Sequence, residues 1–310
     1  RGYQFVSECD TEIVAQLVDF LYHGDPVKAV QETVKLITGS YALGIVFSDA
    51  PDRIIAVRKD SPLIIGLGKG ENFIASDIPA ILKHTREIFR LDEYELAVVT
   101  KDNVTVYDKF GERVDKKPIH IEWDAGAAEK GGYEHFMIKE IMEQPDVIRN
   151  TVRPRIQDGH IALGLKHISD EEITKIKKIY IVACGSAYHA GVVGKHVIEK
   201  YARIPVTAEL ASEFRYNDPM VDEHTLTIVI SQSGETLDTL FAQREAKSRG
   251  SKLISVVNVV GSSIANESDD VIYTWAGPEI AVATTKAYSA QLAVMYLLAL
   301  YIGELRGIIG

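Results

Sequence analysis

Leu226-Thr227-Ile228-Val229-Ile230-Ser231-Gln232-Ser233-Gly234-Glu235-Thr236 begins as a nearly continuous apolar run. It then breaks into six residues carrying three hydroxyls, a carboxamide and a glycine. A run this short and this rich in β-branched side chains reads as a strand buried on both faces. A helical pattern occupies 237–249, so the hydroxyl-rich stretch sits where a strand hands over to a helix. Similar runs at 179–183, 253–257 and 271–275 surround it, with a helical stretch at 187–201 and a further strand expected at 205–209. Alternating strands and helices predict an α/β, doubly wound and mostly parallel sheet. Ligands bind such sheets beyond the carboxyl ends of the strands, at the point where strand order reverses, so the loops after those runs are where function is sought.

A helix start offers free backbone N–H groups and the positive end of its dipole, a natural seat for an anion. In Ser231–Thr236, Gly234 lets the backbone approach such a group, while Ser231, Ser233 and Thr236 can donate to phosphate oxygens and Gln232 adds a carboxamide. Helix capping accounts for one or two of these hydroxyls but not for the set. The turn Cys184-Gly185-Ser186-Ala187 occupies the same place one βα unit earlier. Cys184 has no histidine placed locally to activate it and is expected to behave as a small apolar residue, and His189 is expected on the helix surface or in packing. Glu213 and Arg215, within Ser212-Glu213-Phe214-Arg215-Tyr216, are expected to form an ion pair rather than orient a sugar. In the polar stretch Ala281-Val282-Ala283-Thr284-Thr285-Lys286, a threonine is expected to cap the next helix and Lys286 to be a surface or subunit-contact charge.

The first third reads as an antiparallel sheet with packed helices. Amphipathic helices are expected over 11–23 and 26–37, and strands over 41–47, 53–58, 63–66, 95–100 and 104–107. Turns are expected at Asp49-Ala50-Pro51-Asp52, Gly68-Lys69-Gly70 and Asp102-Asn103, the last closing a hairpin. Asp10 or Thr11 can cap the first helix. Residues 116–170 lack an evident core and read as a partly helical connector, with a helix over 133–143 ending at Gln144-Pro145.

The 310 residues carry 34 Lys and Arg against 44 Asp and Glu, a formal charge of −10, which disfavours nucleic acid and anionic lipid as partners. Two cysteines, Cys9 and Cys184, suit neither a metal site nor a disulfide framework. The apolar stretch 287–303 sits at the lower margin for a membrane span, about 17 residues, and is expected to be a buried core helix. The chain opens at Arg1 and closes at Gly310 straight after that helix, and is expected to be a piece of something longer.

Taken together, Ser231–Thr236, Ala183-Cys184-Gly185-Ser186 and Ser212–Tyr216 resemble the first sugar-isomerase (SIS) domain of the glucosamine-6-phosphate synthases, the glutamine-dependent fructose-6-phosphate aminotransferases. So do Ala128-Glu129-Lys130-Gly131-Gly132-Tyr133 and Lys139-Glu140-Ile141-Met142-Glu143-Gln144-Pro145. Ser7–Glu12, Ser61-Pro62-Leu63 and Gly70–Asp77 resemble the later part of that family's glutaminase domain. The resemblance implies a partial N-terminal-nucleophile glutaminase domain (an α+β sandwich) at 1–118, a linker at 119–170 and a SIS domain at 171–310. It further implies phosphosugar binding by Cys184, Gly185, Ser186, Ser231, Gln232, Ser233, Thr236 and Val282, and glutamine binding by Asp10. The family's reaction aminates and isomerises fructose 6-phosphate to glucosamine 6-phosphate with glutamine-derived ammonia, without a cofactor, in a cytoplasmic homodimer. Its turn usually reads Thr-Ser where this chain has Ser186-Ala187, which removes one hydroxyl.

The resemblance places the family's catalytic cysteine before Arg1, and its ring-opening His, Schiff-base Lys and isomerising Glu after Gly310. A lone phosphosugar-sensing SIS module and an amine-phosphosugar isomerase or deglycase are the competing readings; the glutaminase-like segments weigh against both. The expected outcome is that the purified 310-residue chain neither releases glutamate from glutamine nor forms glucosamine 6-phosphate, checked by coupled glutamate and amino-sugar assays.

Overall fold

The computed structural model describes residues 2–121 and 130–309. The chain divides into two compact units, Arg1–Ala125 and Gly126–Gly310, each with its own hydrophobic core. Ala128 and Glu129, in the linker motif, lie outside the described residues.

The first unit runs α1 (Glu12–Leu21), α2 (Pro26–Val34), β1 (Tyr41–Phe47), β2 (Ala50–Lys59), β3 (Ile64–Leu67), β4 (Asn72–Ala75), β5 (Glu87–Arg90), β6 (Leu96–Thr100), β7 (Val104–Tyr107), β8 (Arg113–Val114) and β9 (Ile119–His120). Its strands form two antiparallel sheets, ordered β1-β2-β6-β7-β8 and β4-β3-β5-β9. Strand alternation fills two cores from one strand. Ile55 and Val57 pack with Val18 and Val30 of the helices, whereas Ala56 faces Ile65 and Leu91 between the sheets. Pro26 opens α2 behind an Asp25 side chain that accepts from the Lys28 amide at 3.1 Å.

Two expectations fail in this unit. Neither Asp10 nor Thr11 caps α1; the Glu12 carboxylate instead reaches back to the amides of Val6 and Ser7 at 2.9 and 2.7 Å. The first turn is also shorter than expected, because Phe47 pairs with Ala50 and Pro51 lies within β2. Pro51 precedes the β6 pairing, which starts at Arg53, so its missing N–H costs no bond in that ladder.

The second unit runs α3 (Phe136–Val152), a 3-10 turn (Arg153–Arg155), β10 (Ile156–Gln157), β11 (His160–Ile161), α4 (Asp170–Lys175), β12 (Lys178–Ala183), α5 (Gly185–Ala202), β13 (Val206–Leu210), α6 (Ala211–Phe214), β14 (Thr225–Ser231), α7 (Leu237–Ser248), β15 (Lys252–Val257), α8 (Ser263–Glu267), β16 (Asp270–Tyr273) and α9 (Lys286–Leu305). Strands β13-β12-β14-β15-β16 form one sheet, and every pair in it is parallel. One face buries Ile181, Ile228, Ile230 and Val256 against α5 and α9. The other buries Val182, Val229 and Leu253 with Leu240 and Ala246 of α7. A Cβ at Gly194 would stand 2.6 Å from the Met295 sulfur, so the bare backbone lets α5 lie directly on α9.

Helix α9 is long and apolar enough to cross a membrane by length and composition. It is instead packed beside the sheet with Ala290, Val294, Leu298 and Ile302 fully or almost fully buried, the core helix expected of it.

Helix α3 does not stop at Pro145 but runs through it. Proline removes the N–H that would bond the Ile141 carbonyl. The Gln144 side-chain amide donates to that carbonyl at 3.0 Å in its place. Strand β16 ends at Tyr273, two residues before the expected end, because Trp275 adopts a left-handed φ of 54°.

Ser169 and Glu172 form a capping box at α4, and Lys252 adds a 2.6 Å ion pair to Glu172. The hydrogen bond from Lys252, then those from the Ser169 amide and hydroxyl, pull the Glu172 carboxyl down from 4.5 to about 2. A carboxyl lowered on folding contributes stability that is fully present above its unfolded value and is lost as pH falls through its folded value. Urea unfolding across this range should therefore show wild type losing its advantage over Glu172→Gln between pH 4.5 and about 2. A gap that stays constant across the range contradicts the assignment.

Candidate functional site

The chain leaves β12, returns as β13 on one side, and then crosses to β14 on the other. Strand order therefore reverses between β12 and β14, whose ends Ala183 and Ile230 stand in register. Cys184-Gly185-Ser186 and Ser231–Thr236 are brought together at that crevice, as sequence spacing predicted. Thr239, in the first turn of α7, donates to the Cys184 sulfur at 3.8 Å and ties the two loops. Gly185 and Ser186 are exposed and Gln232, Ser233 and Thr236 half-buried, whereas Ser231 lies beneath them at 2% exposure. Ala187 is buried in the sheet core, so its methyl packs below the crevice rather than lining it.

Neither α5 nor α7 has a side-chain cap: Cys184 and Thr236 occupy the cap positions without bonding the first-turn amides. Those amides and the two dipoles face the crevice. The hydroxyls instead shape the loop. Ser231 Oγ lies 2.9 Å from Thr236 Oγ1 and accepts from the Gly234 amide at 3.0 Å, and Ser233 Oγ accepts from the Glu235 amide at 3.1 Å.

The segment after β15 clamps this loop from outside. The Asn258 amide donates to the Gln232 carbonyl at 3.1 Å and the Ile264 amide to the Gly234 carbonyl at 3.0 Å. The Glu235 carboxylate accepts from the Ser263 amide and hydroxyl at 2.9 and 2.7 Å. Gly234 has a φ of 68°. A Cβ there would stand 2.0 Å from Ser262 Oγ, a buried hydroxyl with no hydrogen-bond partner among the described residues.

The third loop, between β16 and α9, carries Val282 at full exposure. The Asn258 side chain reaches it too: Oδ1 accepts from Thr274 and the Ala276 amide at 3.0 and 2.9 Å, and Nδ2 donates to the Gly277 carbonyl at 2.7 Å. These bonds flank Trp275 and hold its left-handed turn. Val282 is thus linked to the crevice through the loop that bears it, not by a contact of its own side chain. Sequence reading missed Asn258; its one signal was an asparagine directly after a buried strand, the position already singled out in β12 and β14.

Three expectations about neighbouring residues are corrected. No threonine caps α9: Glu279 does, accepting from the Thr285 and Ala287 amides at 2.9 and 3.2 Å and from the Thr284 hydroxyl at 2.6 Å. Lys286 is not at the surface; its ammonium is buried and pairs with Glu143 at 2.7 Å. Glu213 and Arg215 do not pair, since the Arg215 guanidinium stacks 4.7 Å from the Tyr216 ring centre and 5.1 Å from that of Phe241. Asp10 belongs to the first unit, where it is exposed and its Oδ1 accepts weakly from Thr11 at 3.4 Å. Among the described residues no three His, Cys, Asp or Glu side chains gather as a metal centre would need.

An all-parallel sheet whose hydroxyl-rich loops converge on a switch point defines a class of α/β fold, and within it residues 172–301 match the family model of the SIS domain. Beyond that domain it is similar, nearly end to end, to glutamine--fructose-6-phosphate aminotransferases (isomerizing). It is 58% identical to that of Clostridium tetani over 308 residues, 99% of this chain and 51% of the relative. It is 59% identical to that of Caldanaerobacter subterraneus subsp. tengcongensis over 301 residues, 97% of this chain and 50% of the relative. Among solved structures, the C-terminal domain of glucosamine-fructose-6-phosphate aminotransferase from Francisella tularensis aligns with a TM-score of 0.56 and 43% identity, covering 59% of this chain and 51% of that one. The chain spans about half the length of the curated relatives it matches.

Gly234→Ala should cost roughly 2–4 kcal/mol, because a side chain meets both an unfavourable φ and Ser262. Adding Ser262→Gly, which removes the clashing Oγ and Cβ, should recover part of that loss. Equal unfolding midpoints for wild type and Gly234→Ala would contradict the close approach.

Proposed function

We propose that this chain supplies the phosphosugar-binding part of an enzyme that transfers glutamine-derived ammonia to fructose 6-phosphate, giving glucosamine 6-phosphate and glutamate. The observation that carries the reading is the pairing of two uncapped helix starts, α5 and α7, across one switch point. Such a crevice suits a phosphate dianion, since amide dipoles and hydroxyls hold it without a lysine. Ser231, Gln232, Ser233 and Thr236 surround the phosphate in this reading. Cys184, Gly185 and Ser186 face the sugar, and the Val282 backbone closes the far side.

The glutamine-dependent half of the reading rests on the similarity to the aminotransferases and on the two-sheet unit that closes with β9 at His120, two residues past the boundary expected at 118, which we read as the later part of a glutaminase domain. Asp10 holds the substrate ammonium group there, residues 119–170 connect the two parts, and the working enzyme is a cytoplasmic homodimer. The chain binds phosphosugar without turning it over, and the catalytic groups belong to the rest of the enzyme.

Calorimetric titration of the purified chain tests this. Fructose 6-phosphate should bind, and Ser233→Ala combined with Thr236→Ala should weaken it by roughly tenfold or more, the loss of two hydrogen bonds to a charged group. A chain that binds no hexose phosphate sinks the reading. One that binds it, but whose longer parent makes no glucosamine 6-phosphate from glutamine, favours a sensing module instead.

A further inference from the structure

Helix α3 lies along the β16–α9 connection and holds it at successive turns. Arg155, just past its end, donates to the Tyr273 carbonyl at 2.5 Å, and Thr151 donates to the Thr274 carbonyl at 2.6 Å. Val147 packs with Ala276, Ala287 and Ala290. Glu143 takes the buried ammonium of Lys286, and Gln144 accepts from the Ser289 hydroxyl at 2.5 Å. At the far end stands Glu140, 2% exposed, whose Oε1 accepts from the consecutive amides of Ile280 and Ala281 at 2.7 and 3.2 Å. Its other oxygen, Oε2, is buried without a hydrogen-bond partner among the described residues.

Burying a carboxylate for one oxygen's worth of hydrogen bonds is costly. The compensation is geometric: two adjacent amides directed at one acceptor fix the backbone immediately before Val282. The base of the connection is fixed independently, by Asn258, Thr151 and Arg155. Its tip has Glu140 at 280–281 and Glu279 at 284–287.

We infer that Glu140 is a positioning residue for the phosphosugar site, setting the 280–282 backbone against the sugar while Ser231–Thr236 hold the phosphate. This rests on the phosphosugar reading proposed above. It also assigns a site function to a helix lying within the segment read from sequence as a linker.

The test titrates the 310-residue chain and its variants with fructose 6-phosphate and with inorganic phosphate, which occupies the anion seat without reaching the Val282 loop. Glu140→Ala should weaken fructose 6-phosphate by roughly tenfold, the loss of charge-assisted bonds to two amides, and leave inorganic phosphate unchanged. Glu140→Gln, whose carbonyl oxygen can accept from the same amides, should restore sugar-phosphate binding. Hydrogen exchange at the Ile280 and Ala281 amides should quicken in Glu140→Ala and remain slow in Glu140→Gln. Should Glu140→Ala not fold, Glu140→Asp takes its place, keeping the charge but withdrawing the oxygen from both amides. Equal loss of both ligands, no loss of either, or unchanged amide exchange overturns the inference. Failure of wild type to bind either ligand overturns the phosphosugar reading instead, and amide exchange, which needs no ligand, then decides for or against the clamp itself.

Discussion

Parallel pairing makes each β-to-α connection in the second unit open at the same edge of the sheet, and the rest of the site depends on that constraint. With β12, β14, β15 and β16 all running one way, the loops after them cannot be distributed around the molecule. The starts of α5, α7 and α9 therefore crowd one end, each bringing unsatisfied amides and a partial positive charge. The three are not treated alike. Helix α9 receives the Glu279 carboxylate, while α5 and α7 receive no side-chain cap. The anion of the proposed function is thereby directed to the crevice between β12 and β14, where strand order reverses.

That part of the molecule was legible because its signals are local. The runs 226–230 and 179–183 are short, apolar and β-branched, and each gives way to a glycine and hydroxyl cluster that marks the handover from strand to helix. Strand identity, helix identity and the location of both loops come from that contrast. Where sequence reading overshot, it was by assigning hydroxyls and charges to their nearest local job. Thr284 or Thr285 was expected to cap α9, yet the Glu279 carboxylate takes the Thr285 and Ala287 amides, and Thr11 caps nothing while the Glu12 carboxylate binds the Val6 and Ser7 amides ahead of α1. A charged oxygen makes the stronger bond to an amide, and its reach over several residues leaves no signature in nearest-neighbour spacing.

Helix α3, expected to end at Gln144-Pro145 within a connector, gave no sign of its packing for a different reason. Its apolar residues Met137, Ile138, Ile141, Met142 and Ile148 are exposed, whereas Lys139, Glu140 and Thr151 are buried beside Val147. A periodicity argument places the apolar set inside and treats the polar positions as a solvated face. Here the protein-facing side is the polar one, because its task is to satisfy carbonyls and amides of an irregular connection rather than to fill a core. Irregular backbone cannot satisfy itself as a helix or sheet does, so its groups need partners from outside. Glu140 and Thr151, with Arg155 just past the helix, are those partners, while Glu143 and Gln144 take the Lys286 and Ser289 side chains of α9; proline within the helix is tolerated because the Gln144 side-chain amide also bonds the Ile141 carbonyl.

The same economy bears on the proposed anion site of a chain of formal charge −10. The lysine nearest the third loop, Lys286, is buried against Glu143 and structural rather than free for a ligand. Attraction at the crevice then comes from amides fixed in direction, which act over short range and are little affected by the acidic surface beyond. Fixed dipoles recognise an anion only where the backbone is held still. That requirement is met by the close seat of Gly234 on Ser262, the three bonds of the Asn258 side chain and the buried Glu140. Each is a constraint on loop geometry rather than a contact available to ligand, and each is placed where the loop would otherwise be free to turn its amides away.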